Sequence, residues 1–185
     1  MGLVLSPLLE KVVAIWPVAG VALAAFLICG NRVIPGIFLA NLLIHAFLPI
    51  PVPAMLALSA AATAGPALAA WGLRRWGLDL SLASVRDAAR FATVAGLQAG
   101  IATPTIGVLV LAATRSLSWN DAAELWGPWA MADGTATLAI TPLLVWLHSA
   151  GPATRRSDHP TEFLFSAALL LAVTVFCYSL SQPVG

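Results

Sequence analysis

Charge is what this sequence has least of. Nine Lys and Arg plus eight Asp and Glu make 9% of the 185 residues, against about 25% in a typical soluble domain. So few charges, with 3 His, cannot clothe a soluble domain of this size. With 60% of the residues hydrophobic, the bilayer has to be the solvent for most of the surface. A net charge of +1 supplies no polybasic field, which excludes nucleic acid as a partner. Cysteine is almost missing as well. Cys29 and Cys177 make no metal-ligand spacing, and both sit in apolar runs where a free Cys behaves as a small hydrophobe. No Ser, His and Asp grouping, phosphate-binding glycine loop or pair of carboxylates is present, so no enzyme activity, cofactor or metal is expected. Gly96, Gln98 and Gly100 lie in mid-membrane with no strand before them, which makes them packing residues and not a nucleotide fingerprint. Nothing basic precedes the first apolar stretch, and Glu10 and Lys11 interrupt it, unlike a cleaved signal peptide.

What is present is apolar length. A spanning helix needs about 20 apolar residues, and six runs qualify: 12–29, 33–48, 53–71, 88–113, 126–147 and 161–180. The expected fold is an all-α transmembrane bundle of about six spans, forming one domain over 1–185. Gly30, Asn31 and Arg32 make a polar turn, and Pro49, Pro51 and Pro53 end the second run. Residues 77–87 are amphipathic and are expected at the interface. Ser118, three residues before Asp121, reads as a helix cap.

Basic residues alternate by loop. Arg32, Arg74, Arg75, Arg86, Arg90, Arg155 and Arg156 fall on one side, and Lys11 and Arg115 on the other. The positive-inside rule places the larger set in the cytoplasm and both termini outside. The Trp residues cluster near helix ends, as in interfacial belts. Small residues mark packing ridges: Gly20 with Ala24, Ala57 through Ala61 and Gly65 to Ala69, and Gly96 with Gly100. These predict a tight core of the first, third and fourth helices. Pro17, Pro66, Pro104 and Pro142 lie within spans, each freeing a carbonyl that must be satisfied internally.

Polar residues at membrane depth single out a candidate site. Asp133 lies roughly 10 Å below the outer surface at 1.5 Å per residue. An intramembrane carboxylate usually faces a partner or water. Trp129, Asp133, Thr137 and Thr141 share one helical face. Asn41 and His45 share another, at a similar depth. A pair of His45 with Asp133 would relieve both desolvation costs; a His bonded to a backbone carbonyl near the helix end is the plainer alternative. Gln98, Thr103 and Thr105 flank Pro104, where the threonines can return hydrogen bonds to the preceding turn. Counting depth puts Trp16, His45, Thr103 and Trp129 in the layer of Asp133. The ligand-binding set is therefore Trp16, Asn41, His45, Gln98, Thr103, Trp129 and Asp133.

The order of motifs resembles a known family. Trp16-Pro17-Val18-Ala19-Gly20-Val21-Ala22-Leu23-Ala24-Ala25 is similar to the opening signature of the MASE family of membrane-associated sensors, type one. Pro35 to Asn41, Leu73-Arg74-Arg75, Val85-Arg86-Asp87 with Arg90-Phe91, Thr105-Ile106-Gly107-Val108-Leu109, and Trp129 with Asp133 and Thr141-Pro142-Leu143-Leu144 follow in the family's order over residues 16–146. Ala136 stands where family members often have a glycine. The resemblance implies a bacterial inner-membrane sensory module that detects a small molecule and passes a conformational change to a cytoplasmic histidine kinase or diguanylate cyclase. It also implies two-component or cyclic di-GMP signalling, with a homodimer possible. No effector is encoded here, and relative to the family's eight or so spans the chain reads as lacking the first and last. Two other readings stand beside it: the six-helix substrate-binding component of a vitamin-type transporter, and a structural membrane partner without a ligand. A kinase or cyclase in the same reading frame favours the sensor, and a neighbouring transport ATPase the transporter.

Overall fold

The computed structural model describes residues 17–80 and 84–149. Trp16, Cys177, the sixth run at 161–180 and the Arg155 and Arg156 pair lie outside the described residues. Every regular element among those described is helical, as the composition requires: α1 (Pro17–Cys29), a 3-10 turn (Gly30–Val33), α2 (Ile34–Ala46), α3 (Val52–Arg75), α4 (Val85–Leu97), a π turn (Gln98–Ala102), α5 (Thr103–Ala113) and α6 (Trp119–Ser149). Four stretches are long and apolar enough to cross a membrane: Pro17–Ala46, Val52–Arg75, Val85–Ala113 and Trp119–His148.

The first stretch is folded back on itself. Gly30 has φ +74°, a value that favours glycine. The Arg74 guanidinium at the end of α3 donates to the Phe26 carbonyl and, at 3.0 Å, to the Leu27 carbonyl. Those are orphan acceptors at the end of α1, so α1 and α3 end at the same level and run parallel. In α2 the order is reversed: His45 reaches Ser59 near the start of α3, while Ile34 and Phe38 lie beside Ala64, Ala67 and Leu68. The chain thus turns at Gly30, where the sequence placed its polar turn. Each α2 residue adds ~1.5 Å, so its 13 residues span only ~20 Å of a ~30 Å core.

Helix ends are closed by specific bonds. At the end of α3, Gly77 N–H bonds Arg74 O and Leu78 N–H bonds Leu73 O, each at 3.0 Å, with Gly77 at φ +67°. This is the Schellman arrangement. Residues 76–80 are therefore not helical, and Leu78 and Leu80 pack half-buried on the core. Within the amphipathic stretch, residues 77–80 follow the end of α3 and 85–87 open α4, whose cap is Ser84, accepting from Asp87 N–H at 3.1 Å. The cap expected at Ser118 is present, accepting from Asp121 N–H at 3.2 Å. It opens a helix of 31 residues, which starts seven residues before the apolar run expected at 126–147. At ~1.5 Å per residue α6 is ~46 Å long and outreaches the hydrocarbon core. Its first turns can carry Asp121 and Glu124 in the headgroup region, where they complement the helix dipole.

Two apolar clusters hold the bundle. Leu23, Phe26 and Leu27 of α1 pack with Ala69, Ala70 and Leu73 of α3, Phe91 and Ala95 of α4, and Val145 of α6. Leu58 of α3 packs with Leu111 and Ala112 of α5, Leu117, and Ala122 and Leu125 of α6. A close backbone approach joins α1 to α6, a pairing the small-residue ridges did not predict. A Cβ on Gly20 would sit 2.5 Å from the Ala136 carbonyl oxygen. A Cβ on Gly96 or Gly100 would meet nothing within 4 Å, so the ridge does not interlock through its Cβ positions, although the Gly100 backbone lies close to Gly134 of α6. Outside the clusters, Leu39, Leu43, Phe47, Leu68 and Met131 are exposed, a surface suited to lipid tails.

Candidate functional site

Between the two apolar clusters, α3, α4–α5 and α6 each carry polar residues. On α6, the face read from four-residue spacing points inward: Asp133 is 3% exposed, and Thr137 and Thr141 are fully buried. The Trp129 indole Nε1 donates to Asp133 Oδ2 at 3.1 Å. Its six-membered ring lies against the bare backbone of Gly107 on α5, where an added Cβ would fall 2.6 Å from Cζ3. Thr141 Oγ1 donates to the Gly20 carbonyl of α1 at 2.9 Å. On the other flank of Asp133, a Cβ on Gly134 would approach the Gly100 Cα to 3.6 Å. Asp133 is thus held in a helix wedged between glycine backbones.

Two atoms of this face have no partner. Asp133 Oδ1 and Thr137 Oγ1 are buried without a hydrogen bond. A buried polar atom left unpaired costs about 1–3 kcal/mol, more when it is charged. A carboxylate inside a membrane costs at least about 2.5–3.5 kcal/mol. The site therefore pairs an acceptor carboxylate with a neighbouring hydroxyl one turn away, both with lone pairs unspent.

The other residues singled out from the sequence form separate groups. On α2, buried Asn41 donates to Ile37 O at 2.9 Å. His45 Nδ1 lies 2.9 Å from Ser59 Oγ. The single hydroxyl proton of Ser59 goes to Met55 O at 2.7 Å, so His45 donates and its Nδ1 carries the proton. The pair of His45 with Asp133 is not formed, and the partner of His45 is a side chain instead of a helix-end carbonyl. Ser59 and Thr63, buried one turn apart, were not singled out from the sequence; their four-residue spacing on an otherwise apolar helix was the available signal. Thr63 Oγ1 returns a bond to Ser59 O at 2.7 Å.

Gln98 begins the π turn. Thr103 N–H bonds Gln98 O, five residues back, just ahead of Pro104, which has no N–H to offer the preceding turn. The Gln98 side chain donates to Thr103 Oγ1 at 2.7 Å and fills the space left by Gly65, whose absent Cβ would lie 2.8 Å from Nε2. Thr105 Oγ1 returns a bond to Ile101 O at 2.6 Å and accepts from Trp126 Nε1 at 3.0 Å. Gln98 and Thr103 are thus brought together, as are Trp129 and Asp133, in distinct hydrogen-bonded groups. Among the described residues no three His, Cys, Asp or Glu side chains are grouped to hold a metal ion.

No curated protein and no solved structure gives a significant match. A protein-family model does, over residues 3–182, beyond both ends of the 16–146 stretch where the motifs are legible. With the membrane-spanning helices, the inward aspartate of α6 and a family match over nearly its whole length, the chain belongs to the MASE1 family, membrane-associated sensor domains of signalling proteins.

Proposed function

We propose that this chain is the signal-input domain of a bacterial inner-membrane signalling protein, and that the α6 face of Trp129, Asp133 and Thr137 receives the signal. The observation that carries the reading is the unpartnered pair of buried atoms, Asp133 Oδ1 and Thr137 Oγ1. A group that served packing alone would have its hydrogen bonds met inside the protein. The same helix grips α1 through Thr141 and Gly20 and α5 through Trp129 and Gly107. A change in what Asp133 binds therefore acts on two interhelical contacts at once. The output in this reading is a histidine kinase or a diguanylate cyclase in the cytoplasm, with Arg32, Arg74 and Arg75 on the cytoplasmic side and the termini of this chain outside. The family match supports a sensor over a transporter subunit.

The test is Asp133→Asn in the protein as the cell expresses it, together with the kinase or cyclase it governs. Membrane insertion should be preserved while autophosphorylation or cyclic di-GMP output changes. Lowered thermal stability with unchanged output would reduce Asp133 to a packing group and overturn the assignment.

A further inference from the structure

The unpartnered oxygens on α6 also indicate what kind of species the site takes. Asp133 Oδ1 and Thr137 Oγ1 are both buried, one helical turn apart on one face, and neither reaches a partner. Around them the backbones of Gly20 and Gly107 lie against α6, and a Cβ on Gly134 would approach the Gly100 Cα to 3.6 Å. The donor atoms are oxygens only, the ligand set of hard cations. With a single carboxylate, a monovalent ion brings the site to zero net charge, whereas a divalent ion leaves an uncompensated charge in a low-dielectric interior. Pro142 has no N–H for the Leu138 carbonyl, next in sequence to Thr137, so a backbone oxygen is released on the same helix. Both oxygens are sealed from solvent, which suits a bare ion and not a metabolite.

We infer that Asp133 and Thr137 form an intramembrane site for one small monovalent cation of the Na+ class. Na+ held by Asp133 Oδ1 and Thr137 Oγ1 would satisfy both orphaned oxygens while the indole of Trp129 keeps Oδ2. This deepens the functional reading and rests on it for its physiological meaning, but binding can be measured with no effector present.

The experiment uses the purified full chain in lipid nanodiscs, with NaCl compared against choline chloride at equal ionic strength. Na+ at about 100 times its Kd should raise the thermal midpoint by about 5–10 °C for a chain of this size. Na+ should also shift tryptophan fluorescence, and that shift should vanish in Trp129→Phe. Thr137→Val, which keeps the shape, should weaken apparent Na+ affinity at least about tenfold, since one such step is only ~1.4 kcal/mol. Asp133→Asn should abolish the Na+ effect. Equal midpoints in Na+ and choline overturn the proposal, as does a Na+ shift that survives in Thr137→Val or Asp133→Asn at full size. Failure here leaves the sensory reading standing. Na+ binding combined with unchanged effector output in Asp133→Asn would instead remove the sensory reading and keep the ion site.

Discussion

Gly107 offers a sharp check on how the site is built. Its Cβ position is occupied by the Trp129 ring: an alanine there would put a methyl 2.6 Å from Cζ3 and 2.9 Å from Cζ2. Contacts under 3.0 Å do not persist, so the indole must move. It is not free to do so, because its Nε1 is bonded to Asp133 at 3.1 Å. Overpacking a well-filled core costs about 1–3 kcal/mol. Breaking a hydrogen bond to a charged acceptor adds about 1.5–3 kcal/mol if the ring swings away. Gly107→Ala should therefore lower the thermal midpoint clearly, while Gly96→Ala, where a Cβ meets nothing within 4 Å, should be neutral or slightly stabilising, since Ala gains up to about 1 kcal/mol over Gly in a helix. The background decides the cause. Phe is shorter than Trp and lacks the atoms that overlap, so Gly107→Ala should be close to neutral in a Trp129→Phe protein. The assay is size-exclusion thermal stability of all four combinations, read as a double-mutant cycle. Equal, additive losses from Gly107→Ala in both backgrounds would refute the stacking argument.

Two further outcomes follow from the helix contacts. Thr141→Val should cost about 0.6 kcal/mol, the mean for interhelical hydrogen bonds in membranes, and Thr141→Ser should recover it; Gly20→Val should be far worse, because its Cβ meets backbone oxygen that cannot yield, and accumulation of folded protein measures both. For orientation, in a protein with Cys29 and Cys177 replaced by Ser, a cysteine at exposed Asn120 should react with an impermeant maleimide on intact spheroplasts, and one at exposed Trp76 should react only after lysis; the opposite pattern would invert the proposed topology.

Much of this architecture was legible in the sequence because lipid imposes simple rules. Charge scarcity dictated the solvent, and prolines and glycines punctuated the helices where the chain turns at Gly30 and at Pro51. The α6 face was readable because helical spacing is local: Trp129, Asp133, Thr137 and Thr141 follow from one period. Partners between helices were not readable. His45 and Asn41 lie at a depth compatible with Asp133, yet depth says nothing of azimuth, and α2 turns His45 toward Ser59 of α3. The small-residue ridges gave the first, third and fourth helices as a core, which Leu23, Ala24, Ala69, Ala70, Phe91 and Ala95 form, but for the same reason they did not show which glycine closes on α6. Gly96 and Gly20 look equivalent in sequence, but only Gly20 faces a neighbour that closes on it. Gly107 appeared only inside a motif, since a lone glycine in a helix carries no sign of the ring that rests on it.

The isolation of Asp133 and the tightness of the bundle have one cause. Helices approach closely in a membrane when the facing residues are small. Here Gly20, Gly100 and Gly107 face α6. At Gly20 and Gly107 the face turned to α6 carries no side chain, and in regular helix their N–H groups are engaged in their own ladders. Thr141 finds a second lone pair on the Gly20 carbonyl, which works for a donor. A carboxylate needs donors, and a helix interior offers none to a neighbour. Among the described residues the donor that Asp133 does find is the indole of Trp129, from the preceding turn of the same helix. One oxygen is satisfied and the other is not. An aspartate at the seam of glycine-packed helices is therefore buried and half-partnered as a single consequence of how the seam is made.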